Sequence, residues 1–145
     1  MQLKIKDFED VMLKALDDGL EYLLPLNGTS MEPFLHTGDL AIIKRAPVKK
    51  LDVILYKRSD GAYIFHRVLK IKKNFYLVTG DNQRKLEIVN KPQVLAVMYG
   101  FCHNKILTET TNKKYRFKAK LWSCLFIRRI VWLVTKRRYI KDITK

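Results

Sequence analysis

The sequence is poor in cysteine, and its two cysteines form no recognisable pair. Cys102 and Cys124 stand apart, without a C-x-x-C motif or a Cys/His cluster at metal-binding spacing. A zinc site is therefore not expected, and two cysteines do not make a disulfide framework. We expect reduced thiols and neither a metal nor another cofactor.

Long apolar runs are also missing. No stretch reaches the ~18 apolar residues that a membrane-spanning helix requires. The N-terminus lacks the apolar core of a secretory signal peptide. We therefore expect no signal peptide, no clear transmembrane span, and a cytoplasmic or peripherally membrane-associated protein. The charges that interrupt the N-terminus are Lys4, Lys6, Asp7, Glu9, Asp10 and Lys14.

Acidic residues are almost absent from the C-terminal part of the chain. The net charge is +15, and residues 113–145 contain 12 of the 29 lysines and arginines but only one of the 14 acids, Asp142. A basic tail on a nearly balanced domain predicts contact with an anionic surface, either phospholipid or nucleic acid.

The 145 residues suit one domain with a core, and 48% hydrophobic residues indicate a folded chain. Residues 7–24 carry apolar side chains at the 3.6-residue period of a helix, which Asp7 would cap and Pro25 would end. Residues 121–139 form a second apolar and basic segment. We predict a helix in each segment, the second preceded by a basic connector over residues 111–120.

Between the two helices, short apolar runs alternate with turn residues. Ser59-Asp60-Gly61 separates two such runs and is typical of a hairpin. The sequence therefore predicts a mainly β fold: a small antiparallel domain over residues 25–110, flanked by residues 1–24 and 111–145. The predicted strands cover residues 40–43, 53–56, 63–69, 75–78 and 94–99.

Ser30 lies in the segment Gly28-Thr29-Ser30-Met31-Glu32-Pro33. A nucleophilic serine needs a sharp, exposed turn, so that its hydroxyl reaches a carbonyl and neighbouring N–H groups face the developing oxyanion. Gly28 permits a close approach, and Pro33 fixes the chain beyond the turn. By itself, such a turn is more often structural.

Two further features are able to complete a catalytic site. His66 follows Ser30 on another predicted strand, and imidazole is well suited to accept a hydroxyl proton near neutral pH. Asp81 and Glu87 are carboxylates that can accept the second imidazole N–H and fix its tautomer. The residues alone leave open which of them does so. A structural histidine and a plain Gly-Asp turn are the alternatives.

In their order along the chain, these segments resemble the boxes of the signal peptidase I family. The resemblance is to the histidine-base branch, which includes endoplasmic-reticulum and archaeal enzymes. The common bacterial form and the self-cleaving SOS repressors use lysine instead. The matching boxes are Ser30-Met31-x-Pro33, Gly38-Asp39, Val53-Ile54-Leu55-Tyr56, His66-Arg67-Val68 and Gly80-Asp81-Asn82, within residues 25–100.

The resemblance implies a serine endopeptidase that removes a leader or signal segment from a peptide or protein precursor. Ser30 would attack the scissile carbonyl to form an acyl-enzyme, and His66 would take its proton. The backbone around Ser30, with Thr29 and Met31, would hold the oxyanion and the substrate. Asp81, whose box is intact, is slightly favoured over Glu87 as the carboxylate that orients His66.

Three features depart from the family pattern. Gly28-Thr29 replaces the Ser-Gly that precedes the nucleophile in many relatives, and Glu87 stands where an aspartate is common. Charges crowd residues 7–24, whereas most relatives have a transmembrane helix before the serine box. The chain therefore resembles a small variant without that helix.

The basic tail also supports an alternative function, a non-catalytic module that binds an anionic surface. Residues 121–134 are too short to span a bilayer and contain Arg128 and Arg129. Their aromatic and apolar residues beside clustered cations favour a helix in the plane of a membrane surface. A helix that only docks on the β domain is the other interpretation. Nucleic acid is not favoured, because Tyr115, Arg116 and Phe117 are only a faint version of the interleaved aromatic and basic residues that such binding needs.

Overall fold

The computed structural model describes residues 2–3 and 8–134, with side chains described for residues 8–124. These residues form an antiparallel sheet of nine strands with a helix near each end, which confirms the predicted mainly β fold. The sheet order is β2-β3-β8-β4-β5-β6-β7, while β1 pairs with β5 and β9 with β8. The elements are β1 (Gln2–Leu3), α1 (Glu9–Asp17), β2 (Tyr22–Pro25), β3 (Leu40–Lys44), β4 (Val53–Lys57), β5 (Tyr63–Ile71), β6 (Phe75–Thr79), β7 (Glu87–Asn90), a 3₁₀ turn (Lys91–Gln93), β8 (Val94–His103), β9 (Ile106–Glu109) and α2 (Lys113–Val134).

The N-terminal helix is shorter than predicted. Gly19 follows it with φ 76°, a left-handed conformation that glycine readily adopts after a helix. Met12 and Leu16 are buried in the core beneath the helix. The segment that was predicted to stay helical to residue 24 instead forms β2, because it pairs with β3 along its whole length. The predicted cap, Asp7, lies outside the described residues.

The hairpin between β4 and β5 forms at the predicted turn. Gly61 has φ 89°, and Ala62 N donates to Asp60 Oδ1 at 2.9 Å. Beyond the turn, β5 pairs with β4 over its first half and with β6 over its second half. β1 therefore pairs with the part of the β5 edge that β6 does not cover, at Tyr63 and Ile64.

Successive residues of β5 point to opposite faces of the sheet. Phe65 belongs to one buried hydrophobic cluster, together with the residues under α1. Ile64 and Val68 belong to a second cluster. By this alternation, His66 faces the second cluster and Arg67 faces the first.

The C-terminal helix begins earlier than predicted. Asn112 caps it, since Asn112 Oδ1 accepts a hydrogen bond from Tyr115 N at 3.1 Å. Residues 113–120, predicted as a connector, are therefore helical. Tyr115, Ala119 and Ser123 are spaced four residues apart and are all buried, so this face of α2 packs on the β domain. Among the described residues, no helix combines the length and the apolar character needed to cross a membrane.

Candidate active site

Ser30 opens a tight turn in the loop between β2 and β3. The base of the loop is tied together, because Gly28 N donates to the Thr37 hydroxyl and that hydroxyl donates to Gly28 O, each at 3.0 Å. Met31 is completely buried in the first core cluster and anchors the turn. Any contact of Met31 with an oxyanion would therefore involve its backbone rather than its side chain.

The Gly80-Asp81-Asn82 turn lies directly against Ser30. Asn82 N donates to Ser30 O at 2.8 Å, and Asn82 Nδ2 donates to Thr29 O at 3.2 Å. Gly80 has no room for a side chain, because a Cβ there would lie 2.6 Å from Ser30 O. Thr29 and Ser30 are therefore positioned by the turn that follows β6.

His66 lies on the strand next to this turn. β6 ends at Thr79, which is the register partner of Arg67, the residue after His66. The Ser30 turn is hydrogen-bonded to the residues after Thr79, so it lies at the same end of the β5–β6 pair as His66. The fold thus brings the serine, histidine and Gly-Asp-Asn segments into one region.

His66 is buried, with only 2% of its surface exposed. Its Nδ1 lies 3.0 Å from the Tyr56 hydroxyl and 3.6 Å from Glu87 Oε2. Burial lowers the pKa of His66 below its ordinary value of 6.5, and the neighbouring Glu87 carboxylate only partly opposes this. His66 is therefore neutral at pH 7, the state in which it can accept a proton.

Glu87 receives hydrogen bonds from a charged and a neutral donor. Arg58 donates to both carboxylate oxygens and Tyr56 donates to Oε2, all at 2.7 Å. Burial alone would raise the pKa of Glu87, but its hydrogen bonds, with Arg58 first, outweigh burial and hold that pKa well below 4.5. Glu87 therefore carries its negative charge beside His66.

These contacts assign the tautomer of His66. Burial and the Glu87 carboxylate raise the pKa of Tyr56, so its hydroxyl keeps its proton and donates it to Glu87. The Tyr56 oxygen then accepts from His66, which places the imidazole proton on Nδ1 and the lone pair on Nε2. Nε2 is buried and has no hydrogen-bond partner within the described part of the chain. It is the ring atom that can take a proton from a nucleophile.

Sequence reasoning gave no catalytic role to Tyr56 or Arg58. The register of the predicted hairpin could have indicated that Tyr56 lies near His66. Tyr56 is paired with Ile64, so it is the diagonal neighbour of His66 on the same face. Arg58 gives no comparable signal, because its partner Glu87 lies on β7, three strands away in the sheet order.

Asp81 does not contact His66 but forms an ion pair with Arg67. Nε and Nη2 of Arg67 donate to the two Asp81 oxygens at 2.7 Å each, and both side chains are almost fully buried. Because Arg67 and His66 point to opposite faces of β5, this pair lies away from the imidazole. The geometry therefore favours Glu87 as the orienting carboxylate, which reverses the preference for Asp81 that its intact box indicated.

The sequence also matches the pattern of a known protein family. The model of the family described as "Peptidase S24-like" matches residues 3–99, more than half of the chain. The chain belongs to the peptidase S24-like family. Neither a curated protein nor a solved structure gave a significant match.

The peptidase S24-like match spans Ser30, His66, Asp81 and Glu87, together with β5 and β7, the strands that carry His66 and Glu87. Membership supports a serine-peptidase-type fold. The peptidase S24-like family is a broader assignment than the signal peptidase I family. The Ser30, His66 and Asp81 motifs resemble the histidine-base branch of signal peptidase I. α2 lies beyond the matched residues.

The assigned tautomer leads to a prediction for Glu87→Gln. The change removes a carboxylate that both holds the Tyr56 hydroxyl as a donor and raises the pKa of His66. We expect kcat/KM to fall by ~10²-fold, less than the ~10⁴-fold cost of removing a directly bonded triad aspartate, because Tyr56 intervenes.

The pH profile distinguishes this role from a merely structural one. A catalytic role of His66 as base requires its neutral form, so we expect wild-type activity to fall as the pH drops below 6.5, through the lowered pKa of His66. In Glu87→Gln the acid limb should move to still lower pH, since an influence that raises the pKa is gone. An unchanged limb, measured as kcat/KM from pH 4 to 8, would contradict the assignment.

Proposed function

We propose that this S24-like protein is a serine endopeptidase with Ser30 as nucleophile and His66 as general base. The observation that carries the proposal is the neutral, buried imidazole. The Nδ1–H group of His66 donates a hydrogen bond to the Tyr56 hydroxyl, so the lone pair of the ring is on Nε2. An enzyme needs a base in this state to take the serine proton near neutral pH.

In the proposed reaction, Ser30 Oγ bonds to the scissile carbonyl carbon and His66 Nε2 takes the Oγ proton. Backbone N–H groups at the Ser30 turn stabilise the negative charge on the carbonyl oxygen. The C–N bond then breaks, and His66 gives its proton to the leaving amine. Water hydrolyses the acyl-enzyme with His66 again acting as base. Glu87 stabilises the transient imidazolium through Tyr56.

The part of the β5 edge between its pairings with β1 and β6 supports binding of an extended substrate. This edge pairs with β1 at Tyr63 and Ile64, which shows that it accepts an added strand. Phe65 and His66 follow on the same edge, before β6 begins to pair at Arg67. A substrate peptide added along this edge would pass beside His66, by the strand-addition mode of recognition.

The motif resemblance suggests the substrate class. The His66-Arg67-Val68 box matches the histidine-base signal peptidases, whose substrates have small residues at the first and third positions before the cut. We therefore propose that the enzyme removes a leader or signal segment from a peptide or protein precursor.

Labelling with a fluorophosphonate tests the catalytic proposal without knowledge of the substrate. The wild-type protein should react at Ser30, and both Ser30→Ala and His66→Ala should lose the label. Ser59→Ala is a matched control, because Ser59 is exposed in the β4–β5 hairpin and should not affect labelling. Labelling that persists in Ser30→Ala would contradict the proposal.

A second proposal is that α2 attaches the protein to an anionic membrane surface. Phe117 and Leu121 lie one turn apart on α2 and are 67% and 48% exposed. Lys118 and Lys120 beside them are also exposed, as an interfacial helix requires. Trp122 is one of the aromatic residues in the segment 121–134 that was predicted to lie on a membrane surface, but its Nε1 instead donates to Asp81 O at 2.9 Å. The first part of α2 therefore packs on the domain through one face and exposes another.

Vesicle co-sedimentation tests this attachment. We expect the full chain to bind anionic vesicles, with affinity that falls as salt rises, since each basic residue near the surface contributes about 1 kcal/mol. The double variant Phe117→Ser/Leu121→Ser retains the buried contacts of Tyr115 and Ser123 but lacks the exposed apolar pair of α2. It should bind at least ~10-fold more weakly, since burying one large apolar side chain contributes about 1.5–3 kcal/mol. Equal binding of the two proteins would contradict the proposal.

A further inference from the structure

The strand register brings a histidine and an aspartate together outside the peptidase site. β3 and β8 are antiparallel, with Leu40 opposite Cys102. The residue before Leu40 therefore lies across from the residue after Cys102. These two residues are Asp39 and His103, and His103 Nδ1 is hydrogen-bonded to Asp39 Oδ1.

A tight turn adds a second histidine to this pair. Asp39 N donates to His36 O at 3.1 Å, and His36 N donates to Asp39 Oδ2 at 2.8 Å, so the chain folds back over this carboxylate. His36 Nδ1 lies 3.7 Å from Asp39 Oδ2, and the rings of His36 and His103 are 4.8 Å apart. One potential ligand atom from each of the three residues lies within 4.8 Å of the others.

Burial distinguishes this cluster from an ordinary surface ion pair. The Asp39 side chain is only 4% exposed, whereas the side chains of His36 and His103 are 42% and 43% exposed. The carboxylate is thus fixed inside the fold and both imidazoles border solvent. His36 Nδ1 is buried and has no hydrogen-bond partner among the described residues. An imidazole nitrogen in this position is able to bind a cation.

We propose that His36, Asp39 and His103 form a binding site for a divalent transition-metal ion, with zinc as the best fit. The two imidazoles are borderline ligands that suit Zn²⁺, and Zn²⁺ also accepts a carboxylate, whereas Mg²⁺ and Ca²⁺ prefer oxygen ligands throughout. Small side-chain rotations would bring the three ligand atoms to the ~2.0–2.2 Å distances of zinc ligation. Solvent can supply the remaining coordination.

A neighbouring residue is placed to orient one of the ligands. Asn104 Nδ2 lies 3.1 Å from His103 Nε2. When Nδ1 binds a metal, Nε2 carries the ring proton. The Asn104 amide can then rotate so that its oxygen accepts a hydrogen bond from Nε2–H. Such outer hydrogen bonds commonly hold metal-binding histidines in the ligating tautomer.

The site goes beyond the proposed peptidase function but adjoins its loop. Asp39 O accepts from Leu26 N at 2.8 Å, so the residue that binds the ion also closes the base of the loop that carries Ser30. A bound ion would cross-link that loop to β8 through His103. We therefore expect zinc to raise the thermal stability of the protein, because a ligand that binds only the folded state stabilises it.

Calorimetric titration of the full chain with zinc chloride alone tests the site. We expect one Zn²⁺ per chain, with affinity at least ~100-fold weaker in His36→Ala and in His103→Ala. His66→Ala is the matched control, because it removes the third histidine of the chain and should bind zinc normally. No binding by the wild type, normal binding by both ligand variants, or loss of binding only in His66→Ala would overturn the proposal.

A second measurement detects ligation directly and does not depend on the variants. Co²⁺ in place of Zn²⁺ should give the wild type visible absorption bands of a four- or five-coordinate site with nitrogen ligands. The spectrum of fully hydrated Co²⁺ in the presence of the protein would overturn the proposal. Neither experiment uses peptidase activity, so failure of the metal site and failure of the peptidase assignment are distinguishable.

Discussion

Replacing Ser30 with alanine is expected to abolish cleavage of a precursor peptide, with a loss of at least ~10⁴-fold in kcat. In the proposed reaction Ser30 Oγ is the atom that becomes acylated, and alanine lacks this atom. The protein should stay folded, because the loop is held by the Gly28–Thr37 hydrogen bonds and by buried Met31. Mass spectrometry of the peptide products measures the loss.

His66→Ala should cost about as much as Ser30→Ala, and the double variant should be little worse than either single one. A nucleophile and its base act as one unit, so removing either removes the same step. Near-full activity of Ser30→Ala would refute the assignment. Multiplicative losses in the double variant would show that the two residues act independently, which a serine–histidine pair does not.

Much of the fold could be predicted, and Ser30 and His66 could be proposed as the central residues of the site, because their signals are local. Alternating apolar runs and the Ser59-Asp60-Gly61 turn depend on a few neighbouring residues, and they located most strands of the sheet. The Ser30 and His66 boxes are also short motifs. Such patterns predict the same local structure regardless of which strands lie next to each other in the sheet.

The choice between Asp81 and Glu87, and the role of Arg58, could not be predicted because they depend on contacts between strands that are not neighbours in the sheet. Glu87 on β7 reaches Tyr56 and Arg58 at the β4 end of the hairpin, although two strands separate β4 from β7 in the sheet order. The spacing of these residues along the chain does not indicate that Glu87 lies close to Tyr56 and Arg58. An intact Gly-Asp-Asn box therefore made Asp81 seem the better orienting carboxylate than Glu87.

The expectation of no metal rested on the spacing of residues along the chain and took no account of contacts between strands. Cysteine and histidine spacing detects ligands that share one loop or helix. His103 is 64 residues after Asp39 and meets it only through the β3–β8 register. The sequence predicts no metal site because the pairing of β3 with β8, which brings His103 to Asp39, was not predicted.

The ion pair between Arg67 and Asp81 leads to the largest expected effect on stability. Arg67 is fully buried, and Asp81 accepts its hydrogen bonds at 2.7 Å on two atoms. Asp81→Asn keeps the shape of the side chain but leaves the guanidinium charge buried without its counter-ion. Removing one partner of a buried pair costs ~3–5 kcal/mol, a large share of the stability of a small domain.

Denaturant unfolding of Asp81→Asn, Glu87→Gln and the double variant Arg67→Met/Asp81→Asn separates the roles of the two acids. We expect Asp81→Asn to lose ~3–5 kcal/mol, and the double variant to recover part of that loss because the unpaired buried charge is gone. Glu87→Gln should lose less stability, since Glu87 and Arg58 are partly exposed, while its kcat/KM falls. Wild-type stability in Asp81→Asn together with a strongly reduced rate would instead assign the orienting role to Asp81.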